Sequence, residues 1–208
     1  PVTSRKFPYV HFQSERQIGN FVLTAEHLNS KDSEGNVLLN NFEITIHPGE
    51  KDAFVGMEHN TISSFFDIIS GTKKCEGATV NWGQTTKQTY MGRDNNEYFN
   101  NELTITDWLK QYSPDQDDAY VRGFLGRMLF TGDDSLKKVK VLSGGEKVRC
   151  MLSKMMLSGA NVLILDDPTN HLDLESIESL NEGLVKFPGV VLFSSHDHEF
   201  ISTIANRI

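Results

Sequence analysis

Leu142-Ser143-Gly144-Gly145-Glu146-Lys147-Val148-Arg149 and, downstream, Val162-Leu163-Ile164-Leu165-Asp166-Asp167-Pro168-Thr169-Asn170-His171-Leu172-Asp173 are the stretches whose reading decides the fold. The first is a Ser-Gly-Gly turn opening a helix. Val148, Met151, Leu152, Met155 and Met156 then recur at i, i+3, i+4, i+7 and i+8, the spacing of an amphipathic helix. The second is an apolar strand that ends in two carboxylates and a proline turn. A helix start with bare backbone N–H groups binds anions such as phosphate. A buried strand ending in aspartates is where Mg²⁺ is usually held against a phosphate. Together the two read as half of a nucleotide-binding machine.

Length and composition set the frame. A chain of 208 residues with 38% apolar and 23% charged content has the makeup of a globular protein able to bury a sizeable core. No apolar run reaches the roughly 18–20 residues that span a bilayer, and the polar opening Pro1-Val2-Thr3-Ser4-Arg5-Lys6 is no signal peptide. Cys75 and Cys150 have no metal-ligand spacing, which points to a reducing, cytoplasmic setting. A net charge of −8 argues against nucleic-acid binding by the whole surface. Lys137, Lys138, Lys140, Lys147, Arg149 and Lys154 cluster locally, more simply as a solvated charged face than as a nucleic-acid patch.

Periodicity and turn residues divide the rest. Residues 1–18 read as a linker tail. Strands are predicted over 20–26, 37–46, 53–55, 79–82 and 87–91, with a helix through Phe65, Phe66, Ile68 and Ile69 to a cap at Gly71. From residue 104 the pattern turns helical, with Thr104 as a cap and a helix over 119–130. Further elements follow at 176–185 (helix), 190–194 (strand) and 199–205 (helix). Strands alternating with helices around a helical insertion at about 104–158 imply an α/β core with a helical subdomain.

Strand, Gly56, polar loop and helix have the layout of a phosphate-binding loop, G-x-x-x-x-G-K-[ST]. Thr61 stands at the second glycine and Ile62 at the lysine, while Ser63 keeps the hydroxyl that faces Mg²⁺. By itself this is an ordinary strand–loop–helix turn; its place ahead of the other motifs makes it a decayed phosphate loop, with the N–H groups of 59–64 as a remaining anion nest. The missing lysine removes charged hydrogen bonds worth about 1.5–3 kcal/mol each. Thr61 adds a cost of about 1–3 kcal/mol if its position needs positive φ. Asp166 fits a metal-holding carboxylate and Asp167 a water-activating one, the plain alternative being turn acids before Pro-Thr-Asn. His196 follows the strand 190–193 at its carboxyl end, where ligands bind in α/β sheets. The other histidines, both cysteines and Trp82 and Trp108 read as packing residues.

In this order the residues resemble the nucleotide-binding domain of an ABC ATPase. Leu142–Glu146 is similar to the family signature, and the Asn170-His171-Leu172-Asp173 form resembles the ABC-F subfamily, whose members carry two such domains per chain and act on ribosomes. The resemblance implies an ABC-type P-loop NTPase core, a mixed sheet with flanking helices, with a helical subdomain and an N-terminal antiparallel β portion. Residues 1–18 then end an inter-domain linker and 19–208 form a C-terminal domain. It further implies ATP and Mg²⁺ as ligands, Gly56 to Ser64 as the Walker A loop, Ser63 and Asp166 on the metal, Asp167 as the catalytic carboxylate and His196 as the switch histidine. Ser143, Gly144, Gly145 and Glu146 would close over ATP held by a second ABC domain, with Asp173 in the loop that faces it.

Every departure from the family pattern falls on the site this domain would own: Thr61, Ile62, Asp167 for Glu, Arg93 for the usual glutamine, and no aromatic in Lys31–Asn36 to stack on adenine. Asp167 is shorter than Glu by about 1.5 Å, and a misplacement of that order can cost about 10²-fold in rate. Arg93 is expected to return some of the positive charge lost at position 62. The expectation is weak or absent hydrolysis at the domain's own site, the signature serving a nucleotide held elsewhere. The other readings are a catalytically inactive module donating its signature and a transporter's ATPase subunit.

Overall fold

The computed structural model describes residues 7–56 and 58–208 and divides into two compact units. One comprises Ser14–Arg93, Ala160–Asp167 and Pro188–Ile208. The other comprises Asp94–Gly159, Pro168–Phe187 and the described residues up to Gln13.

The first unit carries two sheets. Strands β1 (Leu23–Lys31), β2 (Val37–Ile46) and β4 (Thr79–Trp82) form an antiparallel sheet in the order β2-β1-β4. β1 begins three residues after its predicted start and runs on to Lys31, with register shifts after Ala25 where His27 and, opposite, Asn41 take positive φ. These bulges are what blurred the alternation of this strand in the sequence. Strands β3 (Lys51–Ala53), β5 (Gln88–Met91), β6 (Val162–Asp166) and β7 (Val190–Ser194) form a parallel sheet in the order β3-β7-β6-β5. Parallel and antiparallel pairing thus both occur, in separate sheets. β6 and β7 are buried at every position, which is why they read as continuous apolar runs.

Helix α1 (His59–Ile69) follows β3 and buries Ile62, Phe65, Phe66, Ile68 and Ile69 in the core of this unit, together with Ile164 and Leu192 of the parallel strands. Phe54 lies 5.1 Å from Phe65 and 5.5 Å from Phe66, fastening the residue two before Gly56 to the helix. The helix ends as predicted, with Gly71 at φ +81°, a conformation that glycine adopts without strain. The indole of Trp82 donates to the Ile69 carbonyl, a packing role.

The second unit is helical: α2 (Ile105–Lys110), α3 (Asp118–Arg127), α4 (Gly144–Leu157) and α5 (Leu174–Lys186). α6 (His198–Ile204) closes the first unit. Thr104 caps α2, accepting from the Asp107 N–H. Trp108 is fully buried, stacked on Phe99 at 5.0 Å, with its N–H on the Tyr98 carbonyl. The apolar stripe of α4 is buried as its spacing predicts; Cys150 is buried too, which pushes its thiol up to about 12, whereas Cys75 is only half-buried. α3 stops at Arg127 rather than 130, because Leu129 turns left-handed (φ +71°) and the Phe130 N–H bonds back to the Leu125 carbonyl. Of the tail predicted over 1–18, residues 1–6 lie outside the described residues, while Val10 and Phe12 are buried in this unit, Phe12 edge-on to Phe187.

The local cluster of basic residues is spent within its own unit. Lys138 and Lys140 pair with Glu102, Lys137 with Asp134 and Glu146, and Lys147 donates to Asn96. Arg149 lies over Phe130, and Lys154 sits between Tyr98 and Tyr112.

One buried acid sits under the edge of the parallel sheet. Asp52 in β3 is 3% exposed, and neither of its carboxylate oxygens has a hydrogen-bond partner among the described residues. Burial, with the Glu50 carboxylate beside it, pushes Asp52 up to about 7, against the pull of Arg207 at 3.8 Å. Arg207 bonds Glu50 at 2.9 Å, and His47 sits 2.8 Å from the same carboxylate. A raised acid stabilises the fold while protonated, so its contribution is lost as pH rises from about 4 to 7. Asp52→Asn should therefore raise stability at pH 8 by on the order of 2 kcal/mol and flatten the fall between pH 4 and 7, as read by urea denaturation across pH.

Candidate functional site

β6 carries Asp166 to its carboxyl end, where the parallel register sets it against Ser194 of β7. The carboxylate is buried and doubly held. Oδ2 accepts from the Ser63 hydroxyl at 2.5 Å, and Oδ1 accepts from the Ser194 hydroxyl at 3.0 Å. Ser194 also fixes the next residue, since the Asp167 N–H donates to its hydroxyl at 3.0 Å and to its carbonyl at 3.1 Å. Asp167 takes φ +53°, a left-handed conformation that aspartate tolerates better than most side chains, and is 8% exposed.

Arg93 faces both acids. Its Nε lies 3.8 Å from Asp166 Oδ1 and one terminal nitrogen lies 3.5 Å from Asp167 Oδ2. Burial raises Asp166 above its ordinary value; the hydrogen bonds from Ser63 and Ser194 and the guanidinium of Arg93 oppose the rise, and the charge of Asp167 adds to it. His196 Nε2 is 4.0 Å from Asp167 Oδ2, with its side chain 82% exposed. These groups border a cleft of about 440 Å³ lined by Gly56, His59, Ile62, Arg93, Asp167 and His196 among others. His59 and His198, read from sequence as packing residues, also line it. Ser194 was legible only as the end of a strand; a serine at a strand's carboxyl end beside an acid-ending strand is the signal that would have singled it out.

The loop itself corrects several expectations. α1 starts at His59, inside the predicted loop, and the N–H groups of Thr61 and Ile62 both reach the Glu58 carbonyl. The anion nest expected over 59–64 is therefore wound into a helix. Thr61 lies within that helix, so the expected positive-φ strain at this position does not arise. Ile62 turns into the core at 7% exposure. Ser64 points away from the acids: its hydroxyl is 2.5 Å from that of Ser30, and Lys73 donates to both. Gly56 keeps φ +75°.

The nucleotide and metal that the resemblance implies fit this half poorly. Among the described residues no lysine lines the cleft, and the N–H groups of Thr61 and Ile62 are taken by the Glu58 carbonyl. Mg²⁺ demands near-octahedral oxygen ligands; here Asp166 is already bonded through both oxygens, Asp167 faces a guanidinium, and no group of three or more His, Cys, Asp or Glu among the described residues is placed to hold a metal.

The Ser143–Glu146 turn, in the other unit, is well formed. Ser143 caps α4 in a reciprocal box, its hydroxyl accepting the Glu146 N–H at 3.2 Å and Glu146 accepting the Ser143 N–H at 3.0 Å. Burial opposes ionisation of Glu146, but the Ser143 bonds, Lys137 and Arg149 outweigh it and hold the carboxyl below its ordinary value. A Cβ on Gly144 would lie 2.9 Å from the His171 ring, and one on Gly145 would lie 2.8 Å from the His171 carbonyl oxygen, so both positions require glycine. Asp173 caps α5 through the Ser176 N–H at 2.8 Å. Together with Ser143, Gly144 and Gly145 it borders an open cleft of about 440 Å³. The start of α4 borders this cleft, and a helix N-terminus is where anions bind.

A family profile described as ABC transporter matches residues 39–170. The chain is 55% identical over 208 residues to the Bacillus subtilis (strain 168) protein called "Uncharacterized ABC transporter ATP-binding protein YkpA", covering 99% of this chain and 38% of that protein. It is 30% identical over 195 residues to "Energy-dependent translational throttle protein EttA" of Escherichia coli (strain K12), covering 92% and 35%. It is also 30% identical over 205 residues to "ABC transporter F family member 5" of Arabidopsis thaliana, covering 98% and 30%. The chain thus spans well under half the length of these relatives. Among solved structures it is similar to cbiO1 of Clostridium perfringens, part of the ABC transporter complex cbiONQ, with a TM-score of 0.62 and 17% identity over 90% of this chain and 83% of that one. That likeness is one of fold.

Ser194→Ala should cost about 1–3 kcal/mol in denaturant melts, because it strips hydrogen bonds from two buried groups. His196→Ala, on an exposed side chain, should change stability by less than about 0.5 kcal/mol.

Proposed function

The chain belongs to the ABC transporter family of ATP-binding domains, and we propose that within it this domain is the C-terminal half of an ABC-F-type protein whose own nucleotide site is impaired. Residues 1–18 would end an inter-domain linker and 19–208 would form the domain, with its helical subdomain at about 104–158. In this reading the signature residues Ser143 to Glu146, with Asp173, close over ATP and Mg²⁺ held by the phosphate loop of a second ABC domain in the same full-length chain. Closure and hydrolysis there switch the pair between conformations on the ribosome, in the cytoplasm.

The observation that carries the proposal is the contrast between the two halves. The signature turn has its capping box, its glycines and an open cleft. The phosphate loop has wound into helix, and its remaining cation faces carboxylates. At the domain's own site, Asp167 and His196 keep the positions of a general base and a phosphate-sensing group without the donors that would hold a triphosphate before them. Two relatives are named for translation or for the F family, which supports the ABC-F assignment. Another is named an ABC transporter ATP-binding protein, which keeps a transporter's ATPase subunit as the alternative. No helix among the described residues is long and apolar enough to cross a membrane.

Three measurements on the full-length protein test this. Blocking substitution of Ser143 should lower its ATPase activity by about 10²-fold or more, as loss of one donor to developing charge does, while Asp167→Asn changes it little. Equal damage from both would refute donation in trans. A fluorescent ATP analogue should bind one strong site per chain, and brisk turnover from a second would refute the impaired site. Co-sedimentation with ribosomes rather than membranes decides between the ABC-F and transporter readings.

A further inference from the structure

The impaired site holds more than losses. Two buried acids adjacent in sequence, Asp166 and Asp167, are 2% and 8% exposed. In an open phosphate site such a pair is balanced by a metal and its phosphates. Here a guanidinium stands against both of them, 3.8 Å from Asp166 and 3.5 Å from Asp167. Arg93 reaches this place because β5 pairs with β6 in parallel, Met91 opposite Leu165, so the chain leaving β5 runs past the acids at the end of β6. Among the described residues no other Lys or Arg lines this cleft.

We infer that Arg93 is the resident cation of this site, its guanidinium between the Asp166 and Asp167 carboxylates doing electrostatically what a divalent ion would otherwise do, so that the site excludes divalent metals. A fixed positive charge repels Mg²⁺ at the distance where the metal would bind the same oxygens. Arg93 Nε has no hydrogen-bond partner among the described residues, so the guanidinium holds the acids by charge, at 3.8 Å from Asp166 and 3.5 Å from Asp167. With Arg93 present the two acids form an internal ion cluster. It also revises the role expected from sequence, since the charge of Arg93 is directed at the acids and does not replace a phosphate-binding lysine. The inference deepens the reading of an impaired own site and rests on it only for the identity of that site.

The test leaves nucleotide out, so its result is independent of ATP affinity and of signature donation. Mn²⁺ bound per full-length chain is counted by electron paramagnetic resonance for the wild type and for Arg93→Gln, Arg93→Lys, Asp166→Asn and Arg93→Gln/Asp166→Asn. Arg93→Gln should gain one Mn²⁺ site, at least about tenfold tighter than anything the wild type shows there, because a like charge has been removed from beside the ligands. Adding Asp166→Asn should abolish that gain, and Arg93→Lys, which keeps the charge, should show none. Asp166→Asn alone should leave the wild-type count unchanged. The inference is overturned if Asp166→Asn alone removes a bound Mn²⁺, or if folded Arg93→Gln binds no more than the wild type. The first comparison needs no Arg93 variant, so a misfolded Arg93→Gln would not shelter the idea.

Discussion

A buried carboxylate at the end of a fully buried strand is the constraint on which this site depends. β6 delivers Asp166 into surroundings where an uncompensated charge is costly, so donors must converge on it. Ser63 arrives from α1, Ser194 from β7 and Arg93 from the segment after β5. Each is placed by the parallel sheet or by the helix packed on it. The acid thus ties three stretches far apart in sequence to one point. Asp167 is held beside it in a left-handed conformation by its N–H to Ser194. The strain is local and the hydrogen bonds that hold it are buried.

The consequences for function run in opposite directions in the two units. In the helical unit, a serine and two glycines at the start of α4 form a reciprocal cap, at positions where a methyl group would strike His171, beside an open cleft. In the sheet-bearing unit, residues 59–64 belong to α1, and Ile62 is buried in the core. An apolar side chain at that position gains about 1.5–3 kcal/mol by burial, whereas a lysine would seek charge and water. Burying Ile62 with Phe65 and Phe66 favours the helical winding that spends the N–H groups of Thr61 and Ile62 on Glu58.

Much of this was legible in sequence because it follows from local rules. Apolar runs with turn residues marked β6 and β7, the spacing of Val148, Met151, Leu152 and Met155 marked α4, and Thr104 marked its own helix. The misses have physical causes too. Bulges at His27 and Asn41 broke the alternation of β1, and the left-handed Leu129 ended α3 where periodicity alone continued it. Ser64 passed for a phosphate-loop hydroxyl because a one-position difference on a helix, about 100° of rotation, is invisible in a motif alignment. Ser194 carried no motif at all.

The sequence by itself determined the family of the fold, the Ser143–Glu146 turn, the isoleucine at position 62 and the identity of the acids. These depend on residue type and spacing along one chain. Only the tertiary structure decided where Arg93 directs its charge, that Ser194 joins Ser63 at the acids, and that residues 59–64 are helix. Those outcomes depend on the register of parallel strands and on competition among buried groups for partners. Both are set by contacts between segments that the sequence keeps far apart.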